Sequence, residues 1–148
     1  SEGDERGQSE SIATNLAVMS KLKTPIIVII TGEGGSGGAL AIGVGDHIAI
    51  LEHATYSVAS PEACASIIWR TAEKASDAAE AMKVSAQELI KIKIVDEIIK
   101  EPLGGAHRDY KEISESVRSC ILKNLGTLLS KPIDDLLEAR YKKLLEIG

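Results

Sequence analysis

The sequence predicts an α/β domain, and three observations indicate this fold class. The residues from Ile26 to Ile30 are β-branched and apolar without polar alternation, which is typical of a strand covered on both faces inside an α/β sheet. A glycine-dense turn from Thr31 to Gly38 follows this strand, and the small apolar residues from Ala39 to Val44 then favour a short helix. The chain before and after this unit carries the apolar spacing of helices.

The length and composition fit one domain with a single core. The chain has 148 residues, of which 44% are hydrophobic and 26% charged, and a chain of this size buries about two-thirds of its unfolded surface on folding. Aromatic residues make up only 3%, without any Phe, so we expect a core of Ile, Leu, Val and Ala. No internal repeat or long linker divides the sequence, and we predict a single domain over residues 1–148.

Charge and cysteine content exclude several classes of function. The net charge is −5, and an acidic chain lacks the basic face that broad nucleic-acid binding or adhesion to anionic membranes needs. The two cysteines, Cys64 and Cys120, lie far apart and outside any Cys-x-x-Cys pair, which excludes a disulfide scaffold or zinc knuckle and favours a reducing compartment. The longest apolar run is too short to span a bilayer.

The first helix is predicted from Glu10 to Leu22. Within it, Ile12, Leu16 and Met19 follow one another at steps of four and three residues and form one apolar stripe. The Thr24-Pro25 pair ends this helix, because proline cannot continue its hydrogen-bond ladder.

Shorter patterns predict the remaining elements. Two apolar segments are predicted to be short strands, a proline in a first turn marks one helix start, and a capping box marks another. A further apolar segment predicts the last strand, and a proline divides two C-terminal helices. The two short strands are His47–Leu51 and Thr55–Ala59, and the last strand is Val95–Ile99. The helix with proline in its first turn starts at Ser60-Pro61-Glu62, and the helix with the capping box starts at Ser85-x-x-Glu88. The two C-terminal helices lie on either side of Ser130-Lys131-Pro132.

The most informative segment runs from Gly32 to Ala39, between the first strand and the short helix. It satisfies the dinucleotide-binding pattern G-x-G-x-x-G, with Glu52 twenty residues after the first glycine, at the place of a ribose-binding acid. It also satisfies the nucleophile-elbow pattern G-x-S-x-G around Ser36, with Asp96 and His107 following in triad order. Neither match is specific, because five glycines in seven positions satisfy many glycine patterns.

A third interpretation of this segment needs no reactive side chain. Glycines let the main chain approach a ligand closely, and the unpaired N–H groups at a helix start carry partial positive charge. Such a turn can hold the oxygen of a thioester enolate or of a ureido group. One oxyanion donor typically lowers the activation free energy by about 3 kcal/mol. We favour this oxyanion-binding role over a dinucleotide-binding fragment, because the short helix has room for only about two turns. We favour it over a serine hydrolase because any acidic chain of this length could supply residues like Asp96 and His107, and 148 residues are few for that fold.

A resemblance to a known family is carried by four segments, whose order and spacing agree over nearly the whole chain. On these segments the chain resembles the carboxyltransferase alpha subunits of multi-subunit acetyl-CoA carboxylase, within the crotonase-like superfamily. Motifs of this length are far more specific than the short glycine patterns. The segments are Glu5-Arg6-Gly7-Gln8-Ser9-Glu10, Gly32 to Asp46, Ser57-Val58-Ala59-Ser60-Pro61-Glu62-Ala63-Cys64-Ala65-Ser66 and Glu101-Pro102-Leu103-Gly104-Gly105-Ala106-His107-Arg108.

The resemblance implies a crotonase-like (ClpP/crotonase) fold, a ββα spiral in which turns of sheet are flanked by helices. It implies a partner, a zinc-ribbon-bearing beta subunit in an α2β2 heterotetramer, together with a biotin carboxyl carrier protein and biotin carboxylase. The implied reaction moves a carboxyl group from carboxybiotin on the carrier to acetyl-CoA, which gives malonyl-CoA for fatty-acid synthesis. Biotin carboxylase consumes the ATP, zinc belongs to the beta subunit, and no cofactor or metal is expected on this chain.

The resemblance also implies the catalytic groups. The main-chain amides of Gly37 and Gly38, at the start of the helix that Ala39 continues, are expected to donate to the carbonyl of the biotin urea ring. Loss of the carboxyl group leaves negative charge on that oxygen, which main-chain donors stabilise. Gly37 and Gly38 are therefore the expected catalytic residues, and Ala39 is expected to contact the substrate.

Further residues are expected around this pocket from the same resemblance. Gly34 and Gly35 are expected to shape the turn and to bind substrate, and Ser36 to act as a spacer and not as a nucleophile. Arg6 and Gln8, just before the first helix, are expected near the biotin or CoA site at the subunit interface.

The resemblance is to the C-terminal portion of the family's domain, whose N-terminal half precedes these segments. A non-catalytic assembly piece of the same complex is therefore the alternative to a complete catalytic chain. Ala63 stands where bacterial members commonly have glycine, as in plastid-type sequences, so we expect a cytoplasmic location in a bacterium or the plastid stroma. Near the C-terminus, Arg140, Lys142 and Lys143 are predicted to form a solvated face.

Overall fold

The computed structural model describes residues 2–35, 44–57 and 84–147, and these residues form a mixed α/β arrangement, as predicted. Helices and strands follow one another along the described chain. In order, the elements are α1 (Glu2–Ser20), β1 (Ile27–Ile30), β2 (Glu33–Gly35), β3 (His47–Leu51), β4 (Thr55–Ser57), β5 (Val84–Ser85), α2 (Ala86–Lys91), β6 (Glu97–Ile99), a 3₁₀ turn (Ala106–Arg108), α3 (Tyr110–Leu129) and α4 (Ile133–Ile147).

The first sheet is parallel throughout, in the order β1–β3–β6. Its register pairs Ile27 with His47 and Ala49 with Glu97. The three predicted strands are confirmed, although β6 begins two residues after Val95. Strand β3 lies at the centre and is buried after its first residue, whereas β1 is half-buried over most of its length. The cover on both faces that was predicted for the first strand is therefore most complete in β3.

The second sheet has the order β2–β4–β5, with β2 parallel to β4 and β4 antiparallel to β5. Strand β2 lies inside the segment from Thr31 to Gly38 that was predicted to be a turn, and for these three residues that prediction is wrong. Their main chain is extended because it pairs with β4, where Gly34 lies opposite Tyr56. Pairing with a neighbouring strand thus overrides the low strand propensity of glycine.

Helix α1 begins at Glu2 and ends at Ser20, whereas the prediction ran from Glu10 to Leu22. The additional turns carry no apolar stripe, so the pattern that identified the helix could not detect them. Helix α2 begins with the predicted capping box, in which the Ser85 hydroxyl accepts a hydrogen bond from the amide of Glu88 at 3.3 Å.

Helices α3 and α4 lie on either side of residues 130–132, as predicted. Three other predicted features fall outside the described residues: the helix start at Ser60-Pro61-Glu62, the end of the strand Thr55–Ala59 and the short helix from Ala39, except for its last residue.

The core lies around β3 and is built from Ile, Leu, Val and Ala, as the scarcity of aromatic residues predicted. Cys120 on α3 is buried and belongs to this core, whereas Cys64 lies outside the described residues. The largest fully buried apolar side chains are Ile48, Ile50, Leu89 and Val95. Among the helices that the structure describes, none combines the length and apolar character needed to cross a membrane.

Arg140 on α4 is buried, so the prediction that it lies on a solvated face is wrong. Its side chain is 1% exposed, and its guanidinium forms a bidentate ion pair with Asp46 at 2.9 and 2.7 Å. Carbonyls at a helix end have no partner within the helix and need an outside donor. Arg140 supplies this donor to four carbonyls at and after the end of α1, those of Met19, Ser20, Leu22 and Thr24. Of the other two residues predicted on the solvated face, Lys143 is mostly covered, whereas Lys142 is 69% exposed, as predicted.

Two aspartates hold the amino-terminal ends of strands in the first sheet. Asp46 precedes β3, and its carboxylate accepts a hydrogen bond from the amide of Ile26 at 2.8 Å. Asp96 precedes β6 and accepts from the amide of Ile48 at 2.8 Å. Each carboxylate is paired with a cation from α4, Asp96 with Lys143 and Asp46 with the buried arginine. Helix α4 therefore compensates the charges that order the starts of β3 and β6.

Candidate functional site

The glycine segment leaves the second sheet where the parallel strands β2 and β4 both end. Strands β2 and β4 are parallel, and their last residues, Gly35 and Ser57, pair with each other. The chain after Gly35 therefore begins at the kind of edge where open α/β sheets bind their ligands. The residues that follow, including both predicted oxyanion donors, lie outside the described part of the chain and keep their roles as predictions: Ser36, Gly37, Gly38 and Ala39.

The residues that follow the glycine segment, from Val44 to Asp46, make buried contacts. The described chain resumes at Val44, which is buried. Asp46 exchanges hydrogen bonds with Ile26, because its amide donates to the carbonyl of Ile26 at 2.8 Å and its carboxylate accepts from the amide of the same residue. Arg140 pairs with that carboxylate. The described residues on the two sides of this stretch, Gly35 in β2 and Val44 to Asp46 before β3, thus both contact neighbouring elements.

Gly34 lies in β2, so the prediction that Gly34 and Gly35 shape a turn is wrong. A methyl group added at Gly34 would lie 3.5 Å from side-chain atoms of Ile30 and Tyr56, which is ordinary van der Waals contact. Burial raises the pKa of the Tyr56 phenol, which stays protonated at neutral pH. Space alone does not require glycine at position 34, and substrate binding by Gly34 and Gly35 stays a prediction.

Gly45, to which the sequence analysis assigned no role, is required by space. A Cβ atom at this position would lie 2.8 Å from Cγ2 of Val28 and 3.0 Å from Cγ1 of Ile48. Both neighbours are β-branched strand residues, whose side chains have little rotational freedom with which to move away. The glycine therefore permits β1 to approach the start of β3, directly beside the anchor at the end of the glycine segment.

Replacing Gly45 by alanine is expected to lower the free energy of unfolding by about 1–3 kcal/mol, because the added methyl group overpacks the junction of β1 and β3. The matched control is Gly34→Ala, whose methyl group meets only ordinary contacts and should change stability by about 0.5 kcal/mol or less. Urea denaturation followed by circular dichroism measures both. Equal losses in the two variants would contradict the steric role of Gly45.

For the two polar residues expected near the substrate, Arg6 and Gln8, the structure describes only the main chain. Arg6 and Gln8 lie within α1, whereas they were predicted just before the first helix. That location is wrong, because α1 begins earlier than its apolar stripe. Their side chains lie outside what the structure describes, and their contribution to a biotin or CoA site stays a prediction.

Two residues of the alternative site patterns, Asp96 and Glu52, lie beside other groups. The carboxylate of Asp96 accepts a strand amide and pairs with Lys143. His107 is exposed in the 3₁₀ turn. Glu52 lies 3.4 Å from the exposed imidazole of His53. The described residues therefore give no support to a catalytic triad or to a ribose-binding acid.

The Glu-Pro-Leu-Gly-Gly turn after β6 braces the connection between β3 and β4. The carboxylate of Glu101 accepts hydrogen bonds from the amides of His53 at 2.6 Å and of Ala106 at 3.1 Å. Gly104 and Gly105 have φ values of 89° and 94°, a region that glycine adopts without strain. These hydrogen bonds of Glu101 thus order the turn that leads into α3.

A polar cluster that the sequence analysis did not find joins β3, β6 and α3. Oε2 of Glu97 accepts three hydrogen bonds, from Nε2 of His47 at 2.8 Å, the thiol of Cys120 at 3.3 Å and Nδ2 of Asn124 at 3.1 Å. We call the first three residues the His47–Glu97–Cys120 cluster. Its members are 50 and 23 residues apart along the chain, so no local spacing reveals it.

The hydrogen bonds of the cluster set its protonation. Partial burial acts to raise the pKa of Glu97, but the bonds that its carboxylate accepts and the charge of His47 outweigh burial, and its pKa lies below the ordinary value. Burial, followed by the hydrogen bond and charge of Glu97, raises the pKa of the Cys120 thiol to about 11. At neutral pH, Glu97 is therefore a carboxylate that accepts a hydrogen bond, and Cys120 is a thiol that donates it.

Comparison with known proteins assigns the family. The sequence profile of the acetyl co-enzyme A carboxylase carboxyltransferase-like proteins matches residues 1–148. The chain belongs to the acetyl co-enzyme A carboxylase carboxyltransferase-like family. This confirms the resemblance that the four sequence segments indicated.

Similar relatives in this carboxyltransferase-like family are named acetyl-coenzyme A carboxylase carboxyl transferase subunit alpha. The chain is 56% identical over 147 residues to the protein of Alcanivorax borkumensis, 56% over 145 residues to that of Vibrio cholerae and 57% over 147 residues to that of Azotobacter vinelandii. These matches cover 98% or 99% of this chain but 46% of each relative. The chain thus spans less than half the length of the curated relatives it matches.

Solved structures show the fold of this carboxyltransferase-like chain. It superimposes on a chain of a Pseudomonas malonate decarboxylase hetero-tetramer with a TM-score of 0.67 at 17% identity, covering 95% of this chain and 55% of that one. An enoyl-CoA hydratase from Shewanella pealeana gives 0.61 at 14% identity, with 99% and 53% covered. Methylmalonyl-CoA decarboxylase gives 0.60 at 14%, with 93% and 52% covered. The chain therefore has the crotonase-like fold that the resemblance implied.

Proposed function

We propose that this chain contributes the glycine-based oxyanion site of a carboxyltransferase that moves a carboxyl group from carboxybiotin to acetyl-CoA. The observation that carries the proposal is the family match over residues 1–148, with relatives at 56% identity named as carboxyl transferase alpha subunits. The geometry supports it, because the glycine segment begins in β2 and leads from the end of that strand towards β3. The residue before β3, Asp46, is hydrogen-bonded to Ile26. The product, malonyl-CoA, serves fatty-acid synthesis.

In the proposed mechanism, the amides of Gly37 and Gly38 donate to the urea oxygen of carboxybiotin. The bond between the ring nitrogen and the carboxyl carbon breaks, carbon dioxide leaves, and the electron pair passes into the urea group. The methyl group of acetyl-CoA gives its proton to biotin, and the resulting enolate carbon bonds to carbon dioxide. Main-chain donors suit this step because the urea oxygen gains charge in the transition state, where each donor contributes about 3 kcal/mol.

The remaining parts of the proposal concern the surroundings of these donors. Substrate contacts come from residues next to the glycines and from the start of α1, and carboxyl transfer itself uses no cofactor or metal held by this chain. The partners are a zinc-bearing beta subunit in an α2β2 heterotetramer, a biotin carboxyl carrier protein and biotin carboxylase, in the bacterial cytoplasm or the plastid stroma. The proposed substrate-contact residues are Gly34, Gly35, Ala39, Arg6 and Gln8.

Malonyl-CoA-dependent carboxylation of biotin tests the proposed function. The chain is assayed with the beta subunit present and absent, and again with the missing N-terminal half of its relatives added. We expect carboxylation only when the beta subunit is present. Co-purification with the beta subunit but activity only after adding the N-terminal half would indicate the alternative, a non-catalytic assembly piece.

Ser36→Ala separates carboxyl transfer from hydrolysis. Because Ser36 is a spacer in the proposed mechanism, this variant should keep the wild-type rate of biotin carboxylation. A serine hydrolase would instead lose all activity on this substitution, and an organophosphonate probe would label Ser36 in the unmodified chain. Loss of carboxylation together with such labelling would overturn the proposal.

A further inference from the structure

We propose that the His47–Glu97–Cys120 cluster is a binding site for a thiophilic divalent metal ion such as Zn²⁺. The three potential ligand atoms are Nε2 of His47, a carboxylate oxygen of Glu97 and Sγ of Cys120, and all lie within 4.8 Å of one another. Imidazole, carboxylate and thiolate are the groups that bind Zn²⁺ in proteins. Among the residues that the structure describes, this is the single group of three such side chains so close together.

Two of the three spacings between the potential ligand atoms are close to those of a tetrahedral zinc site, and the third is at most 4.8 Å. Around a tetrahedral Zn²⁺ with bonds of about 2.0 to 2.3 Å, the ligand atoms lie about 3.3 to 3.8 Å apart. In the hydrogen-bonded cluster, Nε2 of His47 is 2.8 Å and Sγ of Cys120 is 3.3 Å from the same oxygen of Glu97. An ion that replaces these two hydrogen bonds needs the atoms to separate by roughly half an ångström.

Charge balance also favours a divalent ion. Binding of the ion to His47 as neutral imidazole displaces the thiol proton of Cys120 to solvent. The resulting thiolate and the carboxylate of Glu97 then carry two negative charges, which a divalent cation neutralises. Cys120 is 5% exposed and the side chain of His47 is 16% exposed, so an unbalanced charge between them would be costly. Glu97, at 32% side-chain exposure, leaves solvent access for a water molecule as the fourth ligand.

The surroundings of the cluster resemble the outer support that metal ligands have in proteins. Nδ2 of Asn124, one turn further along α3, donates to the carbonyl of Cys120 at 2.8 Å and lies 3.6 Å from its sulfur. This amide orients the sulfur and offers a hydrogen bond to it. The ligands themselves stand on two strands and one helix, elements that hold a coordination geometry better than loops do.

The cluster lies on the first sheet, whereas the described part of the glycine segment, β2, lies in the second. His47 and Glu97 are the first residues of β3 and β6, at the amino-terminal edge of the first sheet. The glycine segment leaves the second sheet where β2 and β4 both end. The ion would link β3, β6 and α3, a role that the proposed function does not include, so the inference goes beyond the proposed function.

Cobalt substitution tests this site in the full chain, without a histidine tag and without the zinc-bearing partner proposed above. Co²⁺ is titrated into the chain in a phosphine reductant, and its absorption is recorded. We expect a thiolate-to-metal charge-transfer band in the ultraviolet and the visible bands of tetrahedral Co²⁺, with saturation at one ion per chain. Zn²⁺ should remove both signals, because it binds such ligands more tightly than Co²⁺ does.

Matched variants assign the signal to the cluster. Cys120→Ser should abolish the charge-transfer band, and Asn124→Ala should weaken Co²⁺ binding about 10- to 100-fold, as loss of outer support does. The controls are Cys64→Ser, which removes the other cysteine of the chain, and His53→Gln, which changes an exposed imidazole. Both controls should keep the band and the affinity of the wild-type chain.

Three results would overturn the metal site: no charge-transfer band in the wild-type chain, a band that survives Cys120→Ser, or a band that Cys64→Ser removes. Circular dichroism of each metal-free variant separates loss of a ligand from loss of the fold. If Cys120→Ser does not fold, His47→Gln decides instead. A Co²⁺ affinity unchanged by His47→Gln overturns the proposal, and a loss of 10-fold or more supports it.

Discussion

Replacing Arg140 by methionine is expected to lower the free energy of unfolding by about 3–5 kcal/mol, because removing one partner of a buried ion pair leaves the other charge uncompensated. Methionine occupies a similar volume but donates no hydrogen bond. The carboxylate of Asp46, which is 2% exposed, would lose two charged donors. Four carbonyls at and after the end of α1 would lose their donor as well. Against a typical total stability of about 5–15 kcal/mol, this loss is severe.

Lys142→Met provides the matched control on the same helix. Lys142 is 69% exposed and lies 3.5 Å from Glu138, and exposed ion pairs of this kind contribute about 0–1 kcal/mol. Urea denaturation of both variants gives the two free energies of unfolding. Similar losses for Arg140→Met and Lys142→Met would show that the buried contacts do not stabilise the fold as argued.

Replacing Gly38 by valine is expected to lower malonyl-CoA formation by about 100- to 1000-fold, as removal of one oxyanion donor does in other enzymes. Under the proposed mechanism, the amide of Gly38 must approach the urea oxygen closely, and a β-branched side chain obstructs that approach. The turnover number is measured for the assembled carboxyltransferase with saturating carboxybiotin and acetyl-CoA. Co-elution with the beta subunit should be unchanged, since the substitution acts on the chemistry.

Gly32→Val is the control for this substitution. Gly32 precedes β2, and no atom lies within 4 Å of a Cβ added there. The control variant should therefore retain wild-type turnover. Unchanged malonyl-CoA formation by Gly38→Val, or an equal loss in Gly32→Val, would contradict the oxyanion role of the Gly38 amide.

The features that the sequence predicted are those with a local signal. Strand β1 is a continuous β-branched run, the capping box between Ser85 and Glu88 spans one helical turn, and Pro132 marks the division between α3 and α4. In each case, residues a few positions apart determine the backbone, and neighbours distant in the chain only add to it. The family match rests on longer segments, but it too is a property of residue order.

The features that the sequence did not predict depend on distant residues. Strand β2 is extended because β4 pairs with it, and nothing in its own glycines favours a strand. Arg140 has the surroundings of an exposed helix residue in sequence, and only the fold brings it to Asp46. The oxyanion donors Gly37 and Gly38 stand on the family match, since they lie outside the described residues.

The pairing of Arg140 with Asp46 has a consequence for folding during translation. The ribosome adds the arginine 94 residues after the aspartate, which at ordinary elongation rates takes about 5 to 20 seconds. Until then, the carboxylate of Asp46 lacks its counter-ion, and the four carbonyls at and after the end of α1 lack their donor. Water must solvate these groups until α4 has been synthesised.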